Sequence, residues 1–210
     1  MAQIYGFGFA RNPAGQIIFG GNGIATRTAD LISFGSALPK WIGGINNGIT
    51  YKDFSFSFLI DFKLGNKMLS GTNFNAIRHG LSKVTLPGRE GIVGEGVNAK
   101  GEVNTVKAAI QDYWSVVRSL ALIEPVIYNG GYWKLRQITA GYDLTKLLSA
   151  TGPIKGLKLS LVANNVLMLK KWVPNIDPES FGYSSDNLVG MESTGLPTTR
   201  SVGFNLNVKF

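Results

Sequence analysis

Along DFSFSFLIDFKL, Phe54, Phe56, Phe58, Ile60, Phe62 and Leu64 hold one phase, and Ser55, Ser57, Asp61 and Lys63 hold the other. Side chains of an extended strand project alternately to opposite faces, so this run is a strand with one greasy and one polar face. Four more stretches share the period. In KWIGGINNGITY, Trp41, Ile45, Ile49 and Tyr51 oppose Gly44, Asn46, Gly48 and Thr50. LKLSLVANN sets Leu157, Leu159, Leu161 and Ala163 against Lys158, Ser160 and Asn164. QIYGFGFAR sets Gln3, Tyr5, Phe7 and Phe9 against Ile4, Gly6 and Gly8. In SVGFNLNVKF, Val202, Phe204, Leu206, Val208 and Phe210 alternate with Gly203, Asn205, Asn207 and Lys209. A sixth candidate, YWKLRQITAGY, changes phase between Leu135 and Ile138, which predicts a β-bulge near Arg136.

Composition agrees with an all-β class: 27 glycines, 12 phenylalanines and 7 tyrosines stand beside only 16% charged residues. No apolar run reaches the roughly 18 residues of a transmembrane helix, and residues 1–20 contain no export signal. Strand spans remain open, since a barrel strand needs only about 10 alternating residues. The chain has no cysteine, which removes disulfides and thiolate chemistry. The net charge of +8 comes from scattered rather than clustered lysines and arginines, so a nucleic-acid partner is not expected.

The connections separate a barrel from a sandwich. Only Lys52 and Asp53 join Tyr51 to Phe54, a two-residue hairpin that sets Tyr51 opposite Phe54 on the apolar face. Residues 143–155 form a second short link, whereas 11–39, 70–130 and 171–198 are long, polar and rich in glycine and proline. Short and long links alternate, so the long ones belong at one end of the sheet, as in barrels with short periplasmic turns and long extracellular loops. Trp41 and Tyr51 share a face ten residues apart; at ~3.3 Å per residue and a tilt near 40° they lie roughly 25 Å apart along a membrane normal, with an aromatic at each interface. The reading is an antiparallel up-and-down transmembrane β-barrel segment of about six strands with long extracellular loops. A soluble all-β carbohydrate-binding or interaction module is the rival.

Several blocks carry a more specific likeness. GSALPKWIGGINNGITYKDFSFSFLIDFKLGNKMLSGTN, QDYWSVV, YWKLRQITAGYDLTKLL, LKLSLVANNVLMLKKWVPNIDPE and RSVGFNLNVKF, in that order over nearly all of residues 1–210, resemble the C-terminal barrel part of SusC/RagA-type TonB-linked outer-membrane transporters. ARNPAGQIIFGGNG resembles the loop that precedes that set. The resemblance implies a larger barrel of about twenty-two strands whose plug domain and signal peptide are absent here. It also implies import of oligosaccharides or peptides across a Gram-negative outer membrane. Implied partners are outer-membrane lipid, a SusD-like lipoprotein, the barrel-assembly machinery, and TonB, ExbB and ExbD acting through the missing N-terminal part. By the same likeness, Phe204, Leu206, Val208 and Phe210 would be the assembly signal. Residues 70–130 and 171–198, including Asn104 and Ser185, would be extracellular, with Asp53 periplasmic.

No catalysis, cofactor or metal is expected. His79 is the only histidine and has no matched nucleophile or second metal ligand nearby. Asp177 and Glu179 in NIDPES fit a turn at least as well as an acid pair. Tyr113, Trp114 and Trp172 lie in or beside long connections, where they would contact substrate or partner, anchor loops, or join the interface girdle.

Overall fold

The computed structural model describes residues 2–119, 121–148, 152–180 and 188–210. Ser185 and part of each of the connections 143–155 and 171–198 therefore lie outside the described residues. The chain divides into two compact units, a sheet unit (39–65, 130–179 and 197–210) and a second unit built from the intervening segments.

The sheet unit holds five of the expected strands: β1 (Trp41–Tyr51), β2 (Phe54–Leu64), β3 (Tyr132–Asp143), β4 (Gly156–Lys171) and β5 (Ser201–Lys209). Every neighbouring pair is antiparallel, in the spatial order β5-β4-β3-β2-β1, which is simple up-and-down succession. Toward the hairpin end the register sets like beside like across all five strands. Ile49, Phe56, Ala140, Leu161 and Phe204 form one rung, and Tyr51, Phe54, Tyr142, Leu159 and Leu206 the next. On the opposite face the corresponding rung is Thr50, Ser55, Gly141, Ser160 and Asn205. Tyr51 pairs with Phe54 as the hairpin required, with Lys52 at a φ of 53°.

Both short connections leave from the end of the sheet marked by Tyr51 and Asp143, and they touch there. The Asp143 N–H donates to the Asp53 carbonyl at 2.7 Å, and Lys146 Nζ lies 2.7 Å from Asp53 Oδ1. The long segments all join strands at the other end, beside Trp41, Leu64, Tyr132, Lys171 and Ser201. There Gly43 leaves room for the Phe62 ring, which a Cβ would meet at 2.7 Å, and Phe62 stacks on Trp133 with centroids 4.5 Å apart.

The sixth expected strand does not join this sheet. Gln3–Gly6 pairs antiparallel with Ile32–Ser36, and residues 7, 9 and 11 make only isolated bridges, all within the second unit. Its glycines are not a small barrel face: a Cβ on Gly6 would overlap Ile123, so they mark where another segment presses against the backbone. Nor are residues 11–39 and 70–130 mere loops. They carry helices α1 (Gly71–Arg78) and α2 (Ile110–Ser119) and a core of Ile77, Val116, Val117, Leu122 and Val126. Ser70 caps α1 by accepting from the Asn73 N–H at 3.0 Å, and the fully buried Glu192 accepts from the Ser70 hydroxyl and from both the hydroxyl and the backbone N–H of Thr72. A carboxylate at that point satisfies helix donors that would otherwise be unpaired and complements the helix dipole.

Candidate functional site

The sheet has two faces with different chemistry, and each is a candidate surface. The apolar face is bare at β1 and β5: Trp41 is 70% exposed, Tyr51 67% and Phe204 81%. Burying side chains of this size stabilises by roughly 1.5–3 kcal/mol each, so a rank of them in water would be a large unrealised gain, whereas hydrocarbon takes them at no cost. Trp41 and Tyr51 stand at opposite ends of β1 on this face. Leu206 and Val208 share it with Phe204 on β5, and Phe210 follows directly, 86% exposed.

The polar face is organised by the bulge that the phase change in YWKLRQITAGY predicts. Register shifts on both sides of β3 between Leu135 and Gln137, leaving Arg136 as the extra residue. The partner strand β4 is also irregular there, with Asn165 in the left-handed region at a φ of 50°, a conformation asparagine tolerates better than most residues. Arg136 reaches both neighbouring strands from this position. Its guanidinium donates to Asp61 Oδ2 at 2.9 and 2.5 Å and to Asn165 Oδ1 at 2.8 Å.

The same guanidinium donates to Glu179 at 2.6 and 3.0 Å. Glu179 also accepts from Lys134 Nζ at 2.5 Å and from the Tyr132 hydroxyl at 2.8 Å. Asp177 accepts from the Thr198 hydroxyl at 2.6 Å and lies 3.8 Å from Lys134 Nζ. Burial pushes the Glu179 carboxyl upward, but hydrogen bonds from Arg136, Lys134 and Tyr132 outweigh it and hold the group at about 2. Asp177 is likewise held below the usual carboxylate range, burial opposing and the Thr198 hydrogen bond favouring its charge. Together these contacts fasten the segment after β4 to the polar face of β3 and to the approach to β5.

The sequence therefore presents Asp177 and Glu179 but not their partners. Neither is part of an acid pair poised for catalysis: each is saturated by donors, and among the described residues no group of three or more His, Cys, Asp or Glu side chains is arranged to hold a metal. His79 is an exposed C-cap of α1. On α2, Tyr113 stacks on Phe19 with centroids 6.4 Å apart and meets Trp114 edge-on at 5.4 Å, while Trp114 packs against the core of the second unit. Trp172, just beyond β4, is partly exposed, with Lys170 Nζ 5.8 Å from its ring. The three aromatics thus occupy two separate places rather than one cluster.

Among the described residues no helix is long and apolar enough to cross a membrane, which says nothing against crossing by strands. No protein-family model matches the chain. Two curated proteins of Formosa agariphila do: TonB-dependent receptor P3, 25% identical over 207 residues, and TonB-dependent receptor P39, 27% identical over 183 residues. These matches cover 95% and 86% of this chain but only 19% and 17% of the relatives. Among solved structures, the RagAB peptide transporter shares the fold with a TM-score of 0.63 at 16% identity, over 99% of this chain and 23% of that one. The RagAB peptide importer in its open-open state gives 0.64 at 16% identity, with 99% and 22% covered. The fold is thus that of a transmembrane β-barrel segment. The chain is similar to a segment of TonB-dependent receptors and spans about a fifth of the length of the relatives it matches. Those relatives are named as receptors and transporters, not enzymes.

Proposed function

We propose that this chain is part of the barrel wall and extracellular loops of an outer-membrane, TonB-dependent nutrient transporter, importing oligosaccharides or peptides with a SusD-like lipoprotein. The observation that carries the reading is a single five-stranded sheet whose hairpin-end rungs are apolar on one face and polar on the other, with an ion cluster further along the polar face. The rival soluble module would need to cover the apolar face, yet Trp41, Ile45, Ile49, Tyr51 and Phe204 are all exposed. Phe204, Leu206, Val208 and Phe210, in one phase of the last strand, also support a role for it as an assembly signal. The energy source, TonB with ExbB and ExbD, belongs to the proposal, as do the lipoprotein lid and the outer-membrane location.

The test is to tag the receptor containing this segment and fractionate the cells. The expected result is recovery from outer membranes only with detergent, as a heat-modifiable barrel accompanied by a lipoprotein, with uptake of peptide or oligosaccharide lost when TonB is deleted. Recovery as a monodisperse species without detergent would return the soluble module to favour.

A further inference from the structure

Beside the C-terminus of α1 and the start of α2 lies a cleft of about 440 Å³, within the size range of small-molecule sites. Its polar lining is unusual in sign. Arg78, Arg89, His79 and Gln111 bring side-chain nitrogens to it, and no aspartate or glutamate is among its lining residues. Neither arginine has an ion-pair or hydrogen-bond partner among the described residues, in contrast to Arg11, which pairs with Glu124 at 2.5 Å in the same unit. The cleft therefore brings two unpaired guanidinium groups together and has no acidic side chain of its own to answer them.

We propose that this cleft binds an oxyanion group, a carboxylate or a sulfate, carried on a ligand about the size of a monosaccharide or dipeptide. The planar fork of arginine matches either oxyanion in a bidentate contact. Arg78 also suits the last turn of α1 by its charge, and that accounts for its presence there. It does not account for Arg89, which sits outside any helix.

The test is calorimetric titration of the detergent-extracted receptor with sodium sulfate and, separately, sodium acetate, each at ionic strength held constant with chloride. Saturable binding of at least one salt is expected, weakened at least tenfold in the Arg78→Gln, Arg89→Gln double variant. Gln111→Glu, which puts a carboxylate into the cleft, should abolish it by occupying the arginines. Heat-modifiability checks that each variant is folded. The salt that binds tells carboxylate from sulfate. Absence of saturable binding by both, or binding indifferent to these substitutions in folded receptor, overturns the proposal. The titration does not depend on transport, so its failure would leave the transporter reading standing.

Discussion

Glu179→Gln isolates the contact that fastens the segment after β4. The native carboxylate receives four hydrogen bonds, two from Arg136 and one each from Lys134 and Tyr132. Arg136 would keep Asp61, but Lys134, 3% exposed, would be left with the Thr198 hydroxyl at 2.6 Å and Asp177 at 3.8 Å. Holding the carboxyl at about 2 against an ordinary 4.5 corresponds to about 3 kcal/mol favouring the charged form, in line with the cost of breaking a buried pair. That energy belongs to the fastened state, so its loss should raise the open population of residues 172–180 by on the order of 100-fold. The assay is hydrogen exchange of the 172–180 peptide in detergent-solubilised receptor. Because the native pKa is depressed, the stabilisation is complete above about 4.5 and fades as pH falls toward 2. Wild-type protection should fall across that window, and the variant should lack that component. Exchange within threefold of wild type at neutral pH would refute the idea that these contacts hold the segment.

Two other predictions concern topology and assembly. Cysteine at Lys100, which is exposed, should react with an impermeant maleimide on intact cells and cysteine at Asp53 should not; Asn104 is unsuitable, being buried with its side-chain amide donating to the Gly94 carbonyl at 2.9 Å. Phe210→Ser should lower the yield of heat-modifiable barrel in outer-membrane fractions well below that of Lys209→Ser at equal synthesis; equal yields would remove the terminal aromatic from any assembly signal.

What could be read from the sequence divides along physical lines. The sheet strands are legible because their two faces differ in polarity, and the phase change after Leu135 exposes the bulge. Alternation misleads in QIYGFGFAR, where glycines admit Ile123 rather than forming a face. The second unit is hidden by glycine, proline and polar residues spread through the long segments. Yet α2 carries its own signal: Ile110, Tyr113, Trp114, Val116 and Val117 follow the helical spacing, with Val116 and Val117 in the core. The ion cluster is the least legible part. Lys134 and Arg136 are 45 and 43 residues from Glu179, and a cation on a polar face is unremarkable until the bulge aims it.

That bulge bears on a question alternation cannot answer, which is the rung at which strands pair. Sliding β4 by two residues along β3 preserves both faces, so in a membrane neither lipid nor lumen opposes the slip through polarity. The hairpin at Lys52 and Asp53 fixes β1 against β2, but no turn of that kind joins β2 to β3. Arg136 supplies the missing constraint. It is held by Asp61 on β2 and by Asn165 on β4, so one guanidinium fixes the rung on both sides of β3. A two-residue slip would carry Asn165 roughly 7 Å away and leave the Arg136–Asn165 bond unmade. The irregularities in β3 and β4 are therefore the places where register is specified. The fastening of Glu179 to the same guanidinium ties the position of the segment after β4 to that register.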